Sequence, residues 1–184
     1  MKPTPDFVPT SSQTVGPYFR IGLDYLLDRM PAEHRGAECV EIRGQIRDRD
    51  GVPVPDALLE FWGVSRLGSD GGIDTGSNAR GFKRAPSDEQ GRFSVLLRRP
   101  NPTALEDGRI QAPHVLVLVF MRGLLRHLVT RLYFADSPEN AADPLLQEVS
   151  AARRDTLVAQ PDGADAYRWD IVTQGNSETV FFAW

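Results

Sequence analysis

From Val40 onward the chain is written in short runs whose apolar positions either recur every second residue or fill a whole run, with turn residues between them. Val40-Glu41-Ile42-Arg43-Gly44-Gln45-Ile46 alternates apolar with polar, the period of a strand that buries one face. Asp48-Arg49-Asp50-Gly51 reads as a turn and Val52 to Trp62 as the returning strand. A second turn, Asp88-Glu89-Gln90-Gly91, leads into Arg92-Phe93-Ser94-Val95-Leu96-Leu97. Gln111 to Phe120 carries the most apolar run and predicts a buried strand; Leu128 to Phe134, Tyr167 to Val172 and Glu178 to Phe182 complete the series. Short strands punctuated by turns predict a mainly β fold, an antiparallel β-sandwich.

Three stretches break the pattern. Residues 1–17 are rich in Pro, Ser and Thr without an apolar period, and their prolines, Pro17 included, argue for an extended arm, either disordered or ordered against a neighbour. Residues 65–83 hold five glycines and predict a long loop of no assigned role. Asp143 to Val158 predicts one short helix with Ser150 as its N-cap. The organisation expected is an N-terminal arm and lead-in over 1–39 and one β domain over 40–184.

A net charge of −4 excludes a general nucleic-acid surface, which needs clustered excess Lys and Arg. The segment Met1 to Asp6 lacks the apolar core of a signal peptide, and Val115 to Met121 is far shorter than the roughly 20 residues of a membrane helix. Cys39 is the only cysteine, so neither an internal disulfide nor a thiolate metal cage is available. A cytoplasmic protein that uses no membrane is expected.

Candidate chemistry centres on His114. Residues i and i+2 of a strand share a face, so a His-x-His there would give a metal two ligands, but the position two on is Leu116. His34 and His127 are the other imidazoles, and His127 is far enough along to pair with His114 on an adjacent strand without that spacing requiring it. Gly63-Val64-Ser65 and Gly68-Ser69-Asp70 make no nucleophile elbow, and Gly71-Gly72-Ile73-Asp74-Thr75-Gly76 lacks the Lys-Ser/Thr of a phosphate loop. Asp48, Asp50, Asp70 and Asp74 sit where turns use aspartate for local backbone bonds. These residues leave open a β-sandwich binding or scaffold protein and a metalloenzyme or hydrolase built on His114 and His127.

Several further segments stand out in order along the chain. They are Ser12-Gln13-Thr14-Val15-Gly16-Pro17-Tyr18-Phe19, Ile42-Arg43-Gly44-Gln45-Ile46 with Asp50-Gly51 and Leu59-Glu60-Phe61-Trp62, Ala112-Pro113-His114, and His127-Leu128-Val129-Thr130-Arg131-Leu132-Tyr133-Phe134. Arg153-Arg154-Asp155-Thr156-Leu157, Tyr167-Arg168-Trp169-Asp170-Ile171 and Gly175-Asn176-Ser177-Glu178-Thr179-Val180-Phe181-Phe182 continue the series, and together these collinear segments resemble the intradiol ring-cleaving dioxygenases, and within that family the α-type chains.

The resemblance implies an assembly in which a homologous β-type chain holds Fe(3+) through two tyrosines and two histidines, the latter in a His-x-His. Phenolate and imidazole suit a hard ferric centre. It implies O2-dependent cleavage of protocatechuate to 3-carboxy-cis,cis-muconate by that assembly. Here Leu116 stands at the second histidine, and no tyrosine occurs between Tyr25 and Tyr133, where both tyrosinates belong. No metal and no catalytic group are therefore expected in this chain, and His114 is expected to be structural. By the same resemblance Thr14, Gly16 and Pro17 line the partner's substrate pocket. Arg131 is the cation associated with that pocket region, whether by holding the arm or by favouring an anionic aromatic acid. Tyr18 and Trp62 are expected to be packing aromatics.

Overall fold

The computed structural model describes residues 10–27, 39–63 and 81–183. Nine strands form one sheet, in the order β11-β1-β10-β9-β8-β7-β2-β3 with β4 also paired to β1. These are β1 Cys39–Arg47, β2 Leu58–Gly63, β3 Phe82–Pro86, β4 Arg92–Arg98, β7 His114–Phe120, β8 Leu128–Phe134, β9 Val158–Pro161, β10 Ala166–Arg168 and β11 Ile171–Val172. A separate ribbon joins β5 Thr103–Ala104 to β6 Ile110–Gln111. The mainly β expectation is met, but the sheet is mixed and nearly closed. β1 pairs in parallel with β10 and β11, and β8 with β9.

Closure follows from burial. The inward residues of β1 and β4 (Val40, Ile42, Ile46, Phe93, Val95, Leu97) meet those of β2, β7 and β8 (Leu59, Phe61, Val115, Val117, Val119, Leu132) in one apolar core. Two opposed faces share that core, and β9 and β10 carry the hydrogen bonding from one to the other. Gly44 lies where the backbone turns inward; a Cβ there would collide with the Trp169 carbonyl and the Phe93 ring, so no other residue fits.

Several expected elements differ. The strand predicted from Val52 begins only at Leu58, because Pro53 makes an isolated bridge to Arg47 and Asp56 adopts a left-handed turn at φ 59°. The 65–83 loop lies outside the described residues except for Gly81, Phe82 and Lys83, and the last two open β3. The single helix over 143–158 is replaced by α2 Pro144–Glu148, α3 Ala151–Arg154, a 3-10 turn over Asp155–Leu157 and the start of β9. Ser150 precedes α3 but makes no side-chain cap, whereas Asp143 caps α2. Glu178 to Phe182 is irregular, anchored by Thr130 Oγ1 donating to the Val180 carbonyl (2.8 Å) and Val180 N donating to Thr156 Oγ1 (3.2 Å). Pro17, expected to keep the arm extended, instead starts helix α1 Pro17–Leu23, at the one helical position where its missing N–H costs nothing. Among the described residues no helix is long and apolar enough to cross a membrane.

Candidate functional site

β7 and β8 pair antiparallel, with His114 opposite Tyr133, Leu116 opposite Arg131 and Leu118 opposite Val129. Val115, Val117 and Val119 point into the core, so His114, Leu116, Leu118 and Phe120 share the half-buried outer face. His114 and Leu116 are thus same-face neighbours, as their spacing predicts. Leu116 offers no donor atom.

The His114 ring is fixed by its own strand entry. Nδ1 lies 2.8 Å from the Ala112 carbonyl oxygen, an acceptor, so Nδ1 carries the proton of the neutral ring. The ring centre is 5.6 Å from that of Tyr133. Burial, and then the nearby Arg131 charge, hold the imidazole pKa below its ordinary value, favouring the neutral form.

Beside it a polar chain runs from Arg131 to the N-terminus of α2. Arg131 Nη1 donates to the Tyr133 hydroxyl at 3.4 Å, and that hydroxyl donates to Asp143 Oδ1 at 3.2 Å. Asp143 is fully buried and satisfied by backbone: Oδ1 accepts from Leu145 N (3.0 Å) and Leu146 N (2.9 Å), and Oδ2 from Ala112 N (2.8 Å). Burial, reinforced by Asp143 and opposed by Arg131, pushes the Tyr133 phenol pKa well up, so it stays protonated. Arg131 Nε is buried and has no partner among the described residues.

These surroundings do not fit a ferric ion. Among the described residues beside Leu116 only His114 is an imidazole, the nearby phenol of Tyr133 is locked as a neutral donor to Asp143, and a permanent guanidinium stands where a metal cation would be repelled. No group of three or more His, Cys, Asp or Glu able to hold a metal occurs among the described residues. His127 stands at the hairpin tip against Phe120, ring centres 5.2 Å apart, six residues before the partner of His114 and so about 20 Å along the strand. His34 lies outside the described residues.

The arm reaches the same hairpin from outside. Thr14 Oγ1 accepts from Gly123 N at 2.8 Å. A cavity of about 610 Å³ lies between the arm, the tip and the C-terminal segment, lined among others by Gln13, Val15, Phe120, Leu125 and Val129. Gly16 is the residue before α1, in extended backbone at φ −96°, and a Cβ there would meet nothing within 4 Å. Nothing among the described residues requires glycine at 16. Arg131 does not line the cavity; it follows Val129 on the same face, about 7 Å further along β8. Thr14 is thus held at the tip, Gly16 and Pro17 follow it at the start of α1, and Arg131 lies deeper on the adjoining sheet. Trp62 packs on Phe82 at 4.3 Å yet stays 46% exposed, and Tyr18 is 82% exposed, so Tyr18 is not packed among the described residues.

Sequence reading missed Tyr133 and Asp143. The available signal was Asp143-Pro144, a capping aspartate ahead of a proline at the first helical position.

Comparison with known proteins agrees with this geometry. Residues 16–175 match the model of a family described as Dioxygenase. The protocatechuate 3,4-dioxygenase alpha chain of Burkholderia cepacia is 42% identical over 94% of this chain and 96% of its own length. The protocatechuate 3,4-dioxygenase beta chain of the same organism is 28% identical over 77% of this chain and 67% of its own. Catechol 1,2-dioxygenase from Acinetobacter sp. ADP1 superposes with a TM-score of 0.59 at 16% identity, over 77% of this chain and 54% of that structure. The chain therefore spans little more than half of that solved structure, although it covers nearly all of the alpha chain. With a family model over most of its length and a relative this similar, the chain belongs to the dioxygenase family that includes the protocatechuate 3,4-dioxygenase alpha chains.

Proposed function

We propose that this chain is the iron-free α-type subunit of a protocatechuate 3,4-dioxygenase, supporting O2-dependent intradiol cleavage at a ferric site held by a homologous β-type chain. The observation that carries the reading is the surroundings of His114. In a family member, the strand position expected to hold a second histidine is Leu116, and it faces Arg131. One imidazole beside Leu116 with a guanidinium opposite supports substrate recognition rather than metal binding.

The arm and lead-in over 1–39 are assigned to contact with the partner. Thr14, Gly16 and Pro17 form part of its pocket wall, and Arg131 supplies positive charge toward an anionic aromatic acid. The freedom around Gly16 supports this: the described residues do not require a glycine there, whereas a close partner surface would. The β domain over 40–184, of the intradiol dioxygenase type, supplies interface and stability, and the assembly belongs in the cytoplasm. Iron, when bound by the β-type chain, supplies the site at which a catecholate is activated toward oxygen.

The test is co-expression with a homologue carrying both tyrosines and a His-x-His. Association and protocatechuate-dependent oxygen uptake by the pair, with none by this chain alone, are the expected results. Turnover by the isolated chain would overturn the proposal.

A further inference from the structure

We infer that Tyr133 is a positioning residue for Arg131, its hydroxyl passing the anchorage of buried Asp143 to the guanidinium on the outer face of β8. The inference rests on the proposed pocket role of Arg131 and adds how that side chain is held. Asp143 can only accept hydrogen bonds and Arg131 can only donate them, so a hydroxyl that does both can link them in series. The direction is fixed by the rest of the cluster. The single phenolic proton goes to Asp143 Oδ1 at 3.2 Å, which leaves a lone pair to receive Arg131 Nη1 at 3.4 Å. Asp143 itself is held by the backbone N–H groups of Ala112, Leu145 and Leu146, so the anchor belongs to β6–β7 and α2 and does not move with β8 alone.

A hydroxyl link has a consequence that a direct ion pair lacks. Arg131 makes no salt bridge to a carboxylate among the described residues, and its Nε donor is unmet. The side chain is therefore oriented without being neutralised. Such a guanidinium keeps both charge and donors for the carboxylate of an aromatic acid, for which its planar fork is suited. The raised phenol pKa supports the arrangement, because a neutral Tyr133 keeps its proton on Asp143.

The experiment uses the assembled enzyme, with KM for protocatechuate and the inhibition constant of catechol, which lacks the carboxylate. Arg131→Met should raise KM for protocatechuate about tenfold and leave catechol within about twofold, the scale of a lost charged hydrogen bond. Tyr133→Phe should raise the same KM about threefold with kcat and catechol unchanged. The double variant should be no worse than Arg131→Met alone, because the hydroxyl acts only through the guanidinium. Tyr133→Phe leaves Asp143 its three backbone donors, so the fold is retained. Asp143→Ser keeps a capping oxygen while withdrawing the acceptor from Tyr133, and should move KM in the same direction.

If Arg131→Met raises KM while neither Tyr133→Phe nor Asp143→Ser does, positioning by Tyr133 is overturned and the pocket role stands. If Arg131→Met changes neither constant, the pocket role fails and this inference fails with it. Additive losses in the double variant would also overturn it.

Discussion

Two arginines in this chain sit in sets of the same composition, each with a tyrosine and an aspartate, and the sets are wired differently. Arg99 is closed: its guanidinium makes two 2.8 Å bonds to Asp136 and further bonds to Tyr167 Oη (2.7 Å) and Ser137 Oγ (2.8 Å), and it stacks over Phe134 at 4.8 Å. Its hydrogen bond holds the Asp136 carboxyl below the usual range. Arg131 is open: one long bond to Tyr133, no direct carboxylate and an unmet Nε. A guanidinium whose donors are spent on its own chain contributes to stability. One held by a hydroxyl at a single point remains able to recognise something else. The same three residue types thus build a fastener in one place and, in the proposed reading, a reader of charge in the other.

The comparison can be broken at its anchors. Asp143→Ala should destabilise most, by about 3 kcal/mol, since it removes a helix cap and leaves the Ala112 N–H and Tyr133 hydroxyl buried without their acceptor. Chemical denaturation of the chain measures it. Arg99→Met should cost about 2 kcal/mol without altering KM for protocatechuate in the assembled enzyme. Arg131→Met should shift stability by less than about 0.5 kcal/mol. Equal losses from the two arginine variants would erase the distinction between closed and open sets.

A smaller effect concerns pH. The folded pKa of His114 is depressed below the ordinary 6.5, so the stability that the neutral ring contributes is present above that value and is lost as pH falls through it toward the folded pKa. His114→Gln should flatten that part of the profile between neutral pH and pH 5, as thermal melts would register, and an unchanged slope would remove His114 from the account. The smallest expected effect on the isolated chain is that of Gly16→Leu, whose new side chain meets open space and should leave the melting temperature unaltered. In the complex the same change should lower turnover with iron content intact, and equal activity would place the arm outside the pocket.

What the sequence disclosed follows the range of the forces involved. β1, β4, β7 and β8 were legible because alternation and flanking turns are local; Val40 to Ile46 and His114 to Phe120 show it directly. The parallel pairings were not. Ile42 meets Tyr167 across more than half of the chain, and no turn between neighbours announces such a contact. β3 begins where a glycine-rich stretch ends, and the run at Tyr167 is split into β10 and β11 at Trp169, whose indole Nε1 donates to the Thr156 carbonyl. At the site, His114 and Leu116 could be named because residues two apart on a strand share a face, and Arg131 because the family resemblance drew attention to the pocket region. Tyr133 and Asp143 could not, because their partnership spans β8 and the start of α2 and exists only after folding.

The location of the iron decides between a supporting and a metal-binding role for this chain. The direct measurement is the iron content of the assembled enzyme after the His-x-His histidines of the β-type partner are replaced by alanine, with association verified by size. An assembly that forms but holds no iron and shows no protocatechuate-dependent oxygen uptake is predicted. Iron retained in that assembly at one per pair would place a metal site in this chain and contradict the account.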